Sequence, residues 1–366
     1  MNQPKVYIII VNWNGWRDTI ECLESVFRLN YQNYTVIVCD NDSTDYSIEH
    51  ISAWANGCLN SWVKTNNPLR TLTYPPINKP IPLIEYTNQK ILSDGNDQKP
   101  SIPLVFIRTG YNLGFAGGNN VGLRYILNND NFDYVWLLNN DTVVHPDALF
   151  HLVDTIKAQT IYSMCGSTLI YYDNVNSIQA QGGAKYNKWL GTAKRLGEFN
   201  DISNPLDRNQ IENDMDYIAG ASMLVRKDQL VNVGLMNEDY FLYYEELDWA
   251  VRSKSMYKLA YAPESYVYHK EGMSIGSNTD YSKRSLMSEY YMFRNRIVFT
   301  LKFYPYAFPV VFLGFLVSLF LRIKRRQWEN VWTIITAVCL CYADTKRYKC
   351  DINTSSAETV VSWLKK

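Results

Sequence analysis

Four short runs of the chain are apolar at consecutive positions rather than alternate ones: VYIIIV (6–11), VIVC (36–39), LVFI (104–107) and YVWLL (134–138). Rich in β-branched residues, such runs read as strands buried on both faces. Between the first two, DTIECLESVFRL places Ile20, Leu23, Val26 and Phe27 at helical spacing. Asp18 followed by Glu21 resembles an N-cap with its capping box. Strand, helix, strand with unbroken apolar strands implies a parallel sheet covered by helices on both sides. Ligands of such sheets bind beyond the carboxyl ends of the strands. Asn12, Asp40 and Asp141 each stand where an apolar run stops, so they are expected along one edge.

The remaining chain is less regular. Residues 64–103 hold most of the early prolines without clear periodicity and read as an insertion or long surface loop. Lys+Arg and Asp+Glu are equal at 36 each, which gives no electrostatic case for a nucleic-acid partner. The seven cysteines are scattered with no Cys-x-x-Cys pair, so neither a zinc site nor a disulfide framework is indicated. The N-terminal residues run straight into the first strand with too little positive charge for a signal peptide, and the catalytic part is expected to be cytoplasmic.

Five stretches carry chemistry, each beside a plainer reading. Asn139-Asn140-Asp141 follows a buried strand; one carboxylate with two amides suits Mg2+ or Mn2+ shared with phosphate oxygens, and an Asx turn is the alternative. CDNDSTD (39–45) is either an acidic turn or a place where Asp40 accepts the imide N–H of a pyrimidine base. NLGFAGGNNVG (112–122), leading into a helix, suggests backbone close to a ligand or a capped loop. YFLYYEELDWAVR (240–252) sets Glu245, Glu246 and Asp248 among aromatics, where burial would raise proton affinity as a general base requires. A helix N-terminus favouring acids is the simpler account. His269 ends the apolar stretch SYVYH and is a ligand or a satisfied structural histidine.

IIIVNWNG, VIVCDNDSTD, NLGFAGGNNVG, VWLLNNDTVV, YIAGASMLVR, FLYYEELD and VYHKEGMS, in this order from Lys5 to about Arg296, resemble the inverting glycosyltransferases of family 2, in particular rhamnosyltransferase-like bacterial members. The resemblance implies a GT-A fold: α/β, with a Rossmann-like, mostly parallel sheet flanked by helices and a C-terminal helical extension. The change to an uncharged composition at residue 303 suggests a border, with a catalytic domain over 1–302 and a helical segment over 303–366. Val11, Asn12, Asp40 and Asn41 would contact the nucleotide, with Asn112, Gly114, Phe115, Gly118 and Asn119 closing over the nucleoside and Asn139 and Asn140 near ribose and sugar. Asp141, with His269, would hold the Mg2+ or Mn2+ on the diphosphate. Glu246 would be the base, with Asp248 in reserve, and Gly220, Ala221, Ser222, Glu245 and Trp249 would line the acceptor side. The family usually has Glu-Asp where this chain has Glu245-Glu246, a base longer by one methylene.

The resemblance makes the donor a dTDP- or UDP-sugar, rhamnose first, and the acceptor a surface glycan or lipid-linked saccharide. A nucleotidyltransferase and a non-catalytic nucleotide-sugar-binding module are the rivals; the Gln-x-x-Arg-Trp motif of processive synthases is not seen. Phe303 to Leu321 is a run of 19 uncharged residues followed by Arg322, Lys324, Arg325 and Arg326. As a helix it reaches about 28 Å at ~1.5 Å per residue, close to a bilayer core of ~30 Å. With Pro305 and Pro309 near its start, an in-plane or re-entrant association with the inner face of the membrane is expected rather than a crossing. Ordinary core helices are the alternative.

Overall fold

The apolar runs become strands because both faces of each find a hydrophobic partner. The structure, a computed structural model, describes residues 3–59, 67–88, 103–129, 132–270 and 285–347. β1 (Val6–Asn12), β2 (Tyr34–Asp40), β3 (Leu83–Thr87), β4 (Leu104–Arg108) and β5 (Tyr134–Asn139) pair in parallel in the order β3-β4-β2-β1-β5. The sheet continues as a mixed one through β6 (Thr142–Val144), β7 (Tyr162–Tyr171), β8 (Asn174–Gln181), β12 (Ser222–Arg226) and β13 (Lys258–His269). β9 (Gly183–Asn187), β10 (Thr192–Arg195) and β11 (Tyr217–Ile218) form a separate antiparallel sheet in the order β10-β9-β11.

Helices cover both faces. They are α1 (Trp16–Val26), α2 (Ser47–Ala55), α3 (Arg70–Thr73), α4 (Gly114–Asn129), α5 (Ala148–Lys157), α6 (Arg208–Asp214), α7 (Lys227–Asn232) and α8 (Glu245–Ser253), then α9 (Leu286–Phe303), α10 (Phe308–Lys324) and α11 (Trp328–Arg347). Side chains alternate across a strand, so Val6, Ile8 and Ile10 enter a core with Leu23, Ile51 and Leu152. Tyr7 and Ile9 enter the opposite core with Val121, Ile126 and Trp249. Each fully buried aliphatic side chain stabilises the fold by about 1.5–3 kcal/mol. The expected α/β class, with its helix-flanked sheet, is what forms.

Three local expectations change. The described part of the supposed insertion, 67–88, contains α3 and the edge strand β3, which pairs with β4; 64–66 and 89–102 lie outside the described residues. Its prolines precede the strand instead of interrupting it. The Asp18–Glu21 capping box does not form: Gly15 is the N-cap, without a side-chain cap. Both carboxylates instead accept from Lys270 Nζ, at 2.6 and 2.5 Å, because a largely buried ammonium needs charged partners. Finally, packing continues past residue 302. Phe315, Ile334 and Ala337 of α10 and α11 join Leu242, Tyr290, Phe293 and Ile297 in one cluster.

Candidate active site

The chain runs from β1 outward through β2 to the edge strand β3, turns back to β4, then crosses to place β5 on the other side of β1. The strand order reverses there, and such a switch point opens a crevice at the carboxyl ends. Asn12, Asp40 and Asn139 end β1, β2 and β5 at that edge. Asn12 Nδ2 donates to Asp40 Oδ1 at 2.8 Å and to Ser43 Oγ at 3.0 Å. Asp40 also accepts from Ser43 N on Oδ2 (3.1 Å) and from Ser43 Oγ on Oδ1 (2.7 Å). A carboxylate has about four lone-pair sites, so Oδ2 keeps one for a further donor. A cavity of about 370 Å³ opens beside it, lined by Ser43, Thr44, Tyr46, Arg108 and Gly110 among others.

Thr19 was not singled out in the sequence, yet it joins the two strand ends. Its hydroxyl donates to Asn12 Oδ1 at 2.7 Å and accepts from Asn140 Nδ2 at 3.1 Å. Two residues beyond β5, Asp141 is buried, with Oδ1 3.2 Å from His269 Nε2. Burial alone would raise the Asp141 carboxyl; the neighbouring His269 and Lys270 outweigh it and hold the carboxyl below its ordinary value. His269 is the last residue of β13, aligned with Thr142 of β6 and Tyr171 of β7. The end of its motif, Glu271 to Ser274, lies outside the described residues.

Another residue absent from the sequence reading is Gln179 on β8. Its Oε1 lies 2.8 Å from His269 Nδ1, while its Nε2 is buried without a partner among the described residues. A carbonyl oxygen facing Nδ1 accepts a proton from that nitrogen. Nε2 and Asp141 Oδ1 stand side by side, as two ligands of one cation would once Nε2 carries no proton. Adjacent ligands of an octahedral ion with bonds of ~2.1 Å lie roughly 3.0 Å apart, near the observed 3.2 Å. Among the described residues no group of three His, Cys, Asp or Glu side chains gathers to hold a metal. Asp141 and His269 would suit an ion shared with diphosphate oxygens and water.

The glycine-rich stretch differs from expectation, since most of it is the first turns of α4 rather than a loop on a ligand. A Cβ on Gly118 would lie 2.8 Å from Val11 Cγ1, and one on Gly122 would lie 2.9 Å from Ile9 Cδ1, so these glycines let α4 pack on β1. Gly114, at φ +70°, has Phe241 O where a Cβ would sit, and Phe115 N donates to that oxygen at 2.7 Å. Asn41 ties the stretch to β2, donating to Asn112 Oδ1 and Gly114 O, both at 3.0 Å. Asn119 Nδ2 bonds back to Phe115 O at 2.9 Å. Its amide serves the helix.

The acidic cluster separates by helix face. Burial pushes the Glu246 carboxyl up to about 7, against hydrogen bonds from its own N–H and that of Gly220. A Cβ on Gly220 would overlap Glu246 Oε1 and lie 3.1 Å from Phe115 Cζ. One residue on, Ala221 O accepts from Asn139 N at 3.0 Å, so the carboxyl stands at the same edge as the β5 strand end. Glu245 is buried and pushed well above the carboxylate range by that burial, with Glu246 adding to the effect. Asp248, Trp249 and Ser222 have structural contacts instead. Asp248 is fully buried and bound by Arg252 Nε (2.6 Å), Lys302 Nζ (2.6 Å) and Tyr240 OH (3.1 Å), which leaves no room for a base in reserve. Trp249 is a core residue donating to Gly234 O at 2.8 Å, and Ser222 turns inward to Trp136 and Ser167. Neither lines an acceptor site.

The family model described as "Glycosyl transferase family 2" matches residues 7–67 and 95–231. The chain belongs to glycosyl transferase family 2. The low-salt glycan biosynthesis hexosyltransferase Agl10 of Haloferax volcanii is 27% identical over 151 residues, 41% of this chain and 46% of that protein. The rhamnosyltransferase WbbL of Escherichia coli is 26% identical over 163 residues, 43% of this chain and 60% of that protein. The matches to these curated relatives thus span about half of their length. Among solved structures, the mannosyltransferase PcManGT from Pyrobaculum calidifontis, in complex with GDP-Man and Mn2+, aligns with a TM-score of 0.49 at 12% identity, covering 94% of this chain and 88% of that one. In this family 2 chain, the family match begins within β1 and ends within α7, short of Glu246 and His269.

Proposed function

We propose that this protein transfers a sugar, rhamnose first among candidates, from a dTDP- or UDP-sugar to a hydroxyl of a surface glycan or lipid-linked saccharide, inverting the anomeric centre. Glu246 carries the reading: a carboxyl with its pKa lifted to about 7 by burial, at the edge that also holds Asp141 and His269. A general base works best when its pKa lies near the working pH. Glu246 takes the proton of the acceptor hydroxyl as that oxygen attacks the anomeric carbon. The bond to the diphosphate breaks on the opposite face, and its electron pair stays on the phosphate oxygen. Asp141 and His269 would hold Mg2+ or Mn2+, which supplies positive charge beside the leaving diphosphate. Asp40, with a free acceptor position on Oδ2 beside its cavity, takes the imide N–H of the pyrimidine.

The test is a panel of dTDP-rhamnose, UDP-galactofuranose, UDP-N-acetylhexosamines and a purine nucleotide-sugar, with product stereochemistry read by NMR. Release of a nucleoside diphosphate with inversion is expected. Pyrophosphate release would make the protein a nucleotidyltransferase, binding without turnover a carrier module, and preference for the purine donor would overturn the role of Asp40.

A further inference from the structure

Helix α10 presents an apolar stripe that no other described element covers. Of its residues only Val311 and Phe315 are buried, while Leu313, Val317 and Phe320 are 60%, 53% and 63% exposed. Their spacing of three and four places them on one stripe, and an apolar stripe of this size marks an interaction surface. Pro305–Lys324 also has the length and composition of a membrane-crossing helix. Crossing conflicts with how it is held. Phe315 packs on Phe293 of α9, ring centroids 4.8 Å apart, and Arg322 at the far end pairs with the buried Glu289 of α9. α9 in turn is tied to the catalytic part, for Asn295 Nδ2 donates to the carbonyls of Tyr240, Leu242 and Tyr243. The helix lies along the protein.

The catalytic part adds to the same surface. Trp189 and Leu190, at the tip of the β9–β10 hairpin, are both 49% exposed. Trp189 packs edge-on against Tyr306, which opens the α10 segment, with centroids 5.4 Å apart. Arg296 of α9 donates to Leu190 O. At the other end of the stripe stand the exposed Lys324, Arg325 and Arg326, then the exposed Trp328 and Trp332. No acid occurs between Pro305 and Trp328. Tryptophan and tyrosine bordering an apolar stripe, with cations at its end, is the chemistry of the headgroup level of an anionic bilayer.

We propose that α10, the start of α11 and the Trp189–Leu190 hairpin tip form one face that lies in the plane of an anionic membrane surface. The face is coupled to the base helix: Tyr244 OH donates to Gly191 O at 2.7 Å, and Tyr244 directly precedes Glu245-Glu246. An acceptor anchored in the bilayer would thus be met at Glu246, a consequence that rests on the proposed transfer reaction. The binding itself does not.

The test is flotation of the full chain with vesicles of phosphatidylcholine alone or mixed with phosphatidylglycerol, a readout independent of any sugar transfer. Binding to the mixed vesicles is expected, weakened at least about tenfold by Lys324→Glu with Arg325→Glu, since each cation contributes about fivefold near the surface. Trp189→Ser with Leu190→Ser should weaken it several-fold, with the melting temperature lowered by only a few °C for the lost Tyr306 contact and the variant still folded at the temperature of the assay. Failure of the full chain to float with anionic vesicles overturns the proposal, as does a stable dimer that covers the face in solution. Undiminished binding by the Trp189/Leu190 variant removes the hairpin from the face and overturns the composite surface. A chain that floats but transfers no sugar would leave the membrane face standing and refute the proposed reaction instead.

Discussion

Glu246 and Gly220 are a matched pair, and each can be tested through the other. The activity limb follows from the sign of the shift: the carboxyl holds its proton up to about pH 7, so kcat/KM should fall as pH drops below that value. Glu246→Gln should abolish the limb and lower kcat at least ~100-fold while donor binding persists. The same raised pKa means the folded state binds this proton more tightly than the unfolded state does. Its stabilising contribution is present at pH 4 and lost as pH rises toward 7 and beyond. Glu246→Gln should therefore melt higher than wild type at pH 8 and near wild type at pH 4; a lower melting point at pH 8 would contradict the assignment. Gly220→Ala places a Cβ on Glu246 Oε1, the movable end of a side chain, so the protein should fold while kcat drops ~100-fold from a misplaced base. At the other end of the site, Gln179→Leu should weaken Mn2+ binding about 10- to 100-fold, read by electron paramagnetic resonance of free Mn2+, with Gln179→Glu restoring it. Equal Mn2+ affinity in the leucine variant would mean that the glutamine does not orient His269. The strand-end places of Asn12, Asp40 and Asn139 were legible in the sequence because an apolar run stops at each. Gln179 was not, being one polar residue on a strand whose partner histidine lies 90 positions away.

Among the elements, α8 shows why the acidic cluster was only half legible. Residues two apart on a helix point about 200° from one another at ~100° per residue, so Glu246 and Asp248 cannot both face one cleft. Periodicity alone does not say which does. The deciding contacts come from α9, whose Lys302 meets Asp248, and from the Gly220 segment, which meets Glu246. Asp248 is thus a structural anchor. Asp248→Asn should lower stability by about 2–4 kcal/mol in urea unfolding, because it leaves Arg252 and Lys302 without their carboxylate. Under conditions where the variant is folded, its kcat should stay within about tenfold of wild type. A well-folded but inactive Asp248→Asn, with Glu246→Gln near normal, would reverse the two roles. The glycines of α4 carry the same lesson, since a glycine run before a helix signals close approach without saying to what, and here the neighbour is β1.

At the scale of the whole molecule, β1, β2, β4 and β5 were readable because each carries its own apolar run, whereas the edge strand β3, inside the stretch read as a loop, and the join between the catalytic part and the tail were not. A composition change at residue 303 suggested a border, but Phe293, Tyr290 and Ile297 on α9 are covered by Phe315, Ile334 and Ala337 from beyond it. α9 also holds the segment leading into the base helix, through the three carbonyls that Asn295 binds. Ending the chain at Lys302 therefore uncovers one side of the helix that positions Glu245-Glu246. Losing two or three buried aromatic and aliphatic contacts costs on the order of 2–5 kcal/mol, and each kcal/mol lowers the melting temperature of a domain this size by roughly 2–4 °C. The truncated protein should melt on the order of 5–15 °C lower and lose transfer even to a short soluble acceptor, with vesicles absent. That outcome separates support of the base helix from membrane delivery, which a soluble acceptor does not need. If the truncated chain keeps its melting temperature and full turnover on the soluble acceptor, the tail serves only the membrane, and the packing of α10 and α11 on α9 contributes nothing to catalysis.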